Sequence, residues 1–174
     1  GDGTECNSRL LLENSWNGLL LDKIRPNGLH NHRDIRPHTY NIQQNYPTGN
    51  KQLKVKNFNP PTNLLKYFKN EFVTAENVND ILSKYNVPHM PDLLSIDIDY
   101  NTYWVWKAIE RIRPRVVVVE YNSQFLPTES KAVPYFPYAE TDYSNYYGAS
   151  LLAFVKLGCS LGYQLVGCGS DGIN

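Results

Sequence analysis

The sequence has no long uninterrupted run of apolar residues, and its start lacks the basic-then-apolar pattern of a secretory signal. A membrane-spanning helix needs about 20 such residues, so none is predicted. The chain also has no excess of charge, since 17 basic side chains balance 17 acidic ones. This balance removes the electrostatic reason to expect nucleic acid or an anionic membrane surface as a partner.

Cysteine is scarce and gives no disulfide or metal pattern. Cys6, Cys159 and Cys168 lie far apart and form no CxxC pair. Because their number is odd, at least one thiol is unpaired. The sequence also has no Asn-x-Ser/Thr glycosylation site. Reduced, buried thiols in a cytoplasmic protein are therefore the favoured interpretation.

The length of 174 residues suits one compact domain. From residue 72 onward, short apolar runs alternate with helical periods, which predicts strands and helices taking turns in an α/β sheet. The expected fold is Rossmann-like, with a doubly wound, mostly parallel sheet and helices on both faces. Residues 23 to 70 have little periodicity and are predicted to form an irregular insertion or loop, with one strand near residues 52 to 58.

The elements after residue 72 follow from the spacing of apolar residues. Helices are predicted over residues 75 to 85, 102 to 112 and 149 to 161, and strands over residues 93 to 98, 116 to 120 and 163 to 168. Thr74 is expected to cap the first helix. The run VVVV predicts a central, buried strand. Aromatic residues on the second helix are expected to pack in the core, with an adenine-pocket wall as the alternative.

Polar side chains end two of these strands. Asp97 and Asp99 close the run LLSIDID, while Glu120 and Asn122 follow VVVV. Ligands of parallel α/β sheets bind outside the carboxyl ends of the strands, so these residues are expected to converge on one crevice. Asp97 and Asp99 begin on opposite faces of their strand. Both can face one ligand only if the strand ends between them.

Two interpretations of these carboxylates stay open. Together with Glu120, the two aspartates can bind a hard cation through oxygen or position a nucleophile. Equally, one carboxylate can cap the next helix while another satisfies loop amides. The sequence leaves a divalent metal undecided and assigns no metal ligands. His30, His32 and His38 lie in an Asn-rich loop and are interpreted as surface residues.

The chain begins with a glycine-flanked acidic turn, Gly1, Asp2 and Gly3. Such a turn can hold a nucleotide-like ligand, but the third glycine of the dinucleotide fingerprint is absent, which argues against NAD. Asp22 ends a predicted strand over residues 18 to 22. It follows the turn by about twenty residues, the spacing at which a carboxylate binds a ribose diol. A plain turn and a helix-cap role for Asp22 are the alternatives.

Seven segments of the sequence resemble segments of a known family and stand in the same order. They are GDGTECNSRLLL, WNGLLLD, VTAENVNDIL, DLLSIDIDYNTYWVWKAI, RPRVVVVEYNSQF, YYGASLLAFVKLGCSLGYQLVGC and GIN. These segments cover residues 1 to 22 and about 72 to 174. They resemble class I S-adenosylmethionine-dependent methyltransferases, near the FkbM type. The pair DLLSIDID and VVVVEYN is the most specific part of the resemblance.

The resemblance implies S-adenosylmethionine as cofactor and O- or N-methylation of a small-molecule or glycan-like acceptor. It places Gly1, Asp2 and Gly3 in the cofactor turn, Asp22 at the cofactor ribose, and Asp97, Asp99, Glu120 and Asn122 around the reaction crevice.

The chain also departs from the family pattern. The similar sequences read IDIDGND where this chain reads IDIDYNT, so Tyr100 replaces a glycine and Thr102 an acid. Tyr100 loses access to positive φ and narrows the approach to the ligand. This favours, as the alternative, a non-catalytic structural or interaction module that keeps the fold.

The family also has a central strand before the cofactor turn and a further strand after GIN. Unpaired backbone groups in a core are costly. We therefore expect the chain to be part of a longer one, or a segment from elsewhere to occupy the central position.

Overall fold

A computed structural model describes residues 16–22, 68–139 and 144–168. Residues 16–22 and 68–72 belong to one compact unit, and the rest belong to a second. The elements are β1 (Leu20–Asp22), β2 (Phe68–Asn70), α1 (Val78–Lys84), β3 (Leu93–Ile96), a 3-10 turn (Asp99–Asn101), α2 (Thr102–Ala108), β4 (Val116–Val119) and α3 (Leu151–Ser160). None of the helices in these ranges is long and apolar enough to cross a lipid bilayer.

The smaller unit contains the parallel pair β1 and β2, in which Leu20 pairs with Phe68 and Asp22 with Asn70. The strand predicted to close on Asp22 is therefore confirmed. Its partner β2 lies at the end of the region predicted to be irregular. The strand predicted near residues 52 to 58 lies outside the described residues.

The larger unit is built on the parallel pair β3 and β4, joined through α2. Leu93 pairs with Val116 and Ile96 with Val119. Parallel strands need a crossover connection, and a helix is the usual one. The α/β class predicted from the alternating pattern is thus confirmed for the described residues.

Two hydrophobic clusters form the core of this unit. One contains buried Ile96, Trp106, Ala149, Ala153, Phe154 and Leu157. The other contains buried Val78, Leu82, Val105 and Ile112. Leu94 packs against both clusters. Strand β3 therefore lies where the three helices of the unit contribute apolar side chains.

Strand β4 is less buried than the run VVVV predicts. Val117 and Val119 pack against the first cluster, whereas Val116 is 49% exposed. Alternate side chains of a strand point to opposite faces, so one face of β4 packs on this core. The prediction of a strand buried throughout is wrong at Val116, because β-branched residues suit any half-buried pleated surface.

Helix α1 is bounded by polar side chains at both ends. Thr74 Oγ1 accepts from the Asn77 amide at 3.3 Å, and Asn77 Oδ1 accepts from the Thr74 amide at 2.8 Å. This reciprocal pair closes the turn that leads into α1, whose N-cap is Asn77 without a side-chain cap hydrogen bond, so the prediction of Thr74 as the cap is wrong by three residues. At the other end Asn86 adopts φ 52°, and the Val87 amide donates to the Leu82 carbonyl. A left-handed residue with this hydrogen bond ends the helix before the prolines do.

Helix α2 ends four residues earlier than predicted, at Ala108. The Asn79 side chain of α1 donates to the Ala108 carbonyl at 2.8 Å and accepts from the amides of Glu110 and Arg111 at 3.0 and 3.1 Å. These contacts satisfy backbone groups that the helix would otherwise use for its next turn. A side chain distant in sequence thus decides where α2 ends.

Residues 163 to 168, predicted as a strand, form none among the described residues. Gly162 adopts φ +83° after α3, and the chain then runs with Leu165 54% and Val166 95% exposed. Cys159 and Cys168 are free and exposed, so the prediction of buried thiols is wrong for both. Cys6 lies outside the described residues.

Candidate functional site

Asp97 and Glu120 follow directly on the carboxyl ends of β3 and β4. Because Ile96 pairs with Val119 in the parallel ladder, one further step sets Asp97 opposite Glu120. A side-chain hydrogen bond joins the two carboxyl groups. The strand register therefore brings these two acids together, as the sequence predicts.

Asp99 reaches the same place through a change in backbone direction. The strand ends at Ile96, and Asp99 adopts φ 56° at the start of the 3-10 turn. Left-handed backbone at a non-glycine residue is uncommon, and Asp is among the residues that tolerate it. One carboxylate oxygen from each of Asp97, Asp99 and Glu120 lies within 4.8 Å of the others. The predicted convergence of these acids is thus found.

These three side chains, called here the carboxylate group, have unequal exposure. Asp97 is exposed, whereas Asp99 and Glu120 are half-buried. Burial first, then the charge of Asp97 and its hydrogen bond, and then the charge of Asp99, raise the pKa of Glu120 from 4.5 to about 8. Glu120 therefore holds a proton near neutral pH.

This pKa predicts a pH-dependent stability. The free energy of unfolding should fall as the pH rises from about 4.5 to about 8, because folded Glu120 keeps a proton that the unfolded chain releases. Glu120→Gln removes this titration and should raise the free energy of unfolding near pH 8 by about 2 kcal/mol, after allowance for solvent screening. Urea unfolding of both proteins at about pH 5 and about pH 8 measures the difference.

Glu129→Gln is the matched control for this experiment. A hydrogen bond from Lys131 lowers the pKa of Glu129, so its titration acts in the opposite direction. The control should therefore show no gain near pH 8. An equal gain in both variants, or a wild-type stability that does not fall with pH, would contradict the pKa of Glu120.

Tyr147 stands beside the carboxylate group and was not singled out in the sequence. Burial, followed by the charges of Glu120, Asp99 and Asp97, raises the pKa of its phenol. Its neighbour Gly148 adopts φ +59°, and a Cβ there would lie 3.6 Å from the Asp99 carbonyl oxygen. The sequence shows only a tyrosine-rich connection here, with no spacing that links it to Asp99.

Two buried residues fix the turn that carries Asp99. Thr102 Oγ1 accepts from the Ile98 amide at 3.2 Å and donates to the Asp99 carbonyl at 3.4 Å. Asn101 Nδ2 donates to the Phe136 carbonyl at 2.8 Å. Both side chains are almost fully buried. They therefore tie the turn to α2 and to the connection between β4 and α3.

Tyr100, which replaces the family's glycine, is half-buried beside Asp99. Its ring meets that of Tyr146 edge to face, with 6.4 Å between the centroids. The aromatics of α2 serve packing, as expected. The Trp106 ring stacks on Phe154, and Trp104 donates to the Val133 carbonyl at 2.8 Å.

Asn122, placed by the resemblance at the reaction crevice, is fully buried. Its side-chain amide bonds to backbone groups of two loops. It therefore lies two residues after Glu120 without presenting a free polar group to a ligand.

The described residues do not test the remaining predicted cofactor residues. Gly1, Asp2 and Gly3 lie outside the described residues, as do the three loop histidines. Asp22 ends β1 in the other unit, and only its backbone is described. Among the predicted site residues that the structure describes, Asp97, Asp99 and Glu120 are the ones whose side chains come together. Their oxygens also suit a hard divalent cation.

Comparisons with family models, with curated proteins and with solved structures gave no match to this chain. The resemblance in the sequence therefore stays a prediction. Any function has to be argued from the carboxylate group and its surroundings.

Proposed function

We propose that this protein is an S-adenosylmethionine-dependent methyltransferase of Rossmann-like, doubly wound fold, acting on a hydroxyl or amine of a small-molecule or glycan-like acceptor. The observation that carries the proposal is the carboxylate group at the carboxyl ends of β3 and β4. This is the edge of a parallel sheet where ligands bind. The seven segments that resemble the family point to the same function, and two of them contain these acids.

S-adenosylmethionine supplies a methyl group on a positively charged sulfonium. The charges of Asp97 and Asp99 and the ring of Tyr147 make a site suited to such a cation. Gly1, Asp2, Gly3 and Asp22 are the residues proposed to hold the nucleoside part, on the family pattern.

The proposed catalytic base is Asp97. It is the exposed member of the carboxylate group, and its neighbour Glu120 holds a proton near neutral pH. An acceptor hydroxyl or amine in hydrogen-bond reach of Asp97 would give up its proton to this carboxylate, while S-adenosylmethionine, when bound, would supply the methyl group and leave as S-adenosylhomocysteine. The rest of the site contributes proximity and orientation, which account for much of the acceleration when two reactants are held together.

Calorimetric titration with S-adenosylmethionine and S-adenosylhomocysteine tests the proposal. We expect saturable binding to the full chain and its loss in Asp22→Ala, because that carboxylate is the proposed ribose partner. Asp80→Ala, an exposed acid in the first turn of α1, is the control that should bind as the wild type does. A folded protein that gives no heat at about millimolar ligand would refute the proposal.

A non-catalytic interaction module is the second candidate function. It is favoured by Tyr100, whose ring is half-buried beside Asp99 and touches Tyr146. If this ring closes the crevice, the same titration gives heat with Tyr100→Gly and none with the wild type. Binding by the wild type decides for the enzyme.

A further inference from the structure

The side chain of Asn122 connects the strand that carries Glu120 to the loop beside the carboxylate group. Its Nδ2 donates to the carbonyls of Asn145 and Tyr147 at 2.9 and 3.0 Å. Its Oδ1 accepts from the Gln124 amide at 2.9 Å. Both amide protons are used, and the side chain is 0% exposed. Asn122 therefore cannot donate to a substrate without losing this loop.

The loop, residues 145 to 149, is held through its carbonyl oxygens. Besides the two bonds from Nδ2, the Asn122 amide donates to Ala149 at 2.8 Å, and the Val133 amide donates to Gly148 at 3.0 Å. Three of these four bonds come from one residue. Asn122 therefore holds most of the loop, and the segment around Ala132 and Val133 holds its end.

The loop of residues 145 to 149 lies against the turn that carries Asp99. Gly148 approaches the Asp99 carbonyl closely, since an added Cβ would stand 3.6 Å from that oxygen. Burial, followed by the charges of all three carboxylates, raises the pKa of the Tyr147 phenol. The side chain two residues after Glu120 therefore holds the segment that carries Tyr147 and lies against the turn of Asp99.

Only a primary amide fits these three partners. Two carbonyls require two N–H donors on one nitrogen, and the Gln124 amide requires an acceptor. An aspartate in its place would set its oxygens against two carbonyls, and an aliphatic side chain would leave buried polar groups unpaired. This chemical requirement explains why position 122 holds an asparagine, which packing alone would not select.

We propose that Asn122 is a positioning residue that holds residues 145 to 149 in place and so keeps the segment that carries Tyr147 against the turn of Asp99. The inference rests on the proposed function in taking these carboxylates as the reactive groups. Asn122 itself touches neither substrate nor cofactor. Its role in the reaction is exerted through Tyr147.

Amide hydrogen exchange of Asn122→Leu tests this role. We expect the amides of residues 145 to 149 to exchange roughly 10- to 100-fold faster than in the wild type, beyond any global loss of stability, because two local hydrogen bonds are removed. The ¹³Cζ signal of Tyr147, assigned with Tyr147→Phe, should also titrate at a lower pH, since the ring has left the carboxylates.

Asn79→Leu provides a matched control. Asn79 also makes three side-chain hydrogen bonds to backbone groups, at the opposite end of α2 from the turn that carries Asp99. Its loss should lower stability without changing loop exchange relative to the whole protein or the Tyr147 titration. Equal effects of both variants would assign Asn122 a structural role only and overturn the inference.

A measurement on the wild type covers the case in which Asn122→Leu does not fold. The two Nδ2 protons of Asn122 should exchange roughly tenfold or more slowly than those of exposed Asn145, because both are donated inside the protein. Fast exchange of either proton would overturn the inference.

These readouts need no cofactor, so they separate the two proposals. If the protein does not bind S-adenosylmethionine while the side-chain amide of Asn122 is protected from exchange, the proposed function is refuted and the role of Asn122 stands. Where methyl transfer is measurable, Asn122→Leu should lower kcat more than it raises the KM for S-adenosylmethionine. Asn79→Leu should leave both unchanged.

Discussion

Asp97→Asn is expected to lower kcat for methyl transfer roughly 100- to 10,000-fold and to weaken S-adenosylmethionine binding far less, because Asp99 keeps a carboxylate at the proposed sulfonium site. Asparagine keeps the shape of the side chain but cannot take up the acceptor's proton. Steady-state rates together with calorimetric binding separate the two effects. The expectation follows from the exposure of Asp97 and from its hydrogen bond to protonated Glu120.

Asp92→Asn is the control for this variant. Asp92 lies just before β3, at the opposite end of the strand from Asp97, and pairs with Arg115 at 2.9 Å on the surface. Both side chains of this pair are more than half exposed. Its loss should leave kcat unchanged and cost less than about 1 kcal/mol of stability. Full activity in Asp97→Asn would exclude it as the base and turn attention to Asp99.

Trp106→Ala should lower the free energy of unfolding by about 3–5 kcal/mol. The Trp106 side chain is 7% exposed and lies between Phe154 and Tyr163, each with 6.1 Å between ring centroids. Packing around it is tight, because a Cβ added at Gly158 would lie 3.2 Å from its ring. The neighbouring helices cannot easily close the cavity. Urea unfolding near pH 6 measures the loss.

Trp16→Ala, which removes an indole that is 46% exposed, serves for comparison. Its cost should stay below about 1 kcal/mol, as for most surface substitutions. Similar losses in the two variants would mean that Trp106 is not the centre of this core. Near-UV circular dichroism of Trp106→Ala shows whether the rest of the core remains ordered.

The elements that could be predicted are those with local causes. The α3 helix lies within its predicted range because Ser150 caps it and Gly162 follows it in left-handed conformation. The end of α2 could not be predicted in this way. It depends on Asn79, which is about thirty positions away in the chain and adjacent only in the fold. The prediction of a strand at residues 163 to 168 was wrong, because β-propensity is a property of one segment, whereas a strand requires a neighbouring strand to pair with.

The carboxylate group was predictable for a related reason. Asp97 and Glu120 each follow an apolar run, and two parallel strands bring such positions to one edge. Tyr147 carries no comparable signal, because it follows the end of β4 by more than twenty positions. The resemblance placed Asn122 at the reaction crevice, but its bonds to the loop could not be read from its position. Its hydrogen-bond partners are loop carbonyls whose location no pattern specifies.

By itself, the sequence determined the α/β class of the described residues and the set of acids at the ends of β3 and β4. Both follow from the alternation of apolar runs, which is a property of neighbouring residues. Only the tertiary structure decided that Asp99 turns toward Asp97, that Glu120 retains a proton to about pH 8, and that Asn122 serves the loop carrying Tyr147. These features depend on burial and on distances between segments far apart in the chain. Such distances are set by packing, which local preferences do not contain.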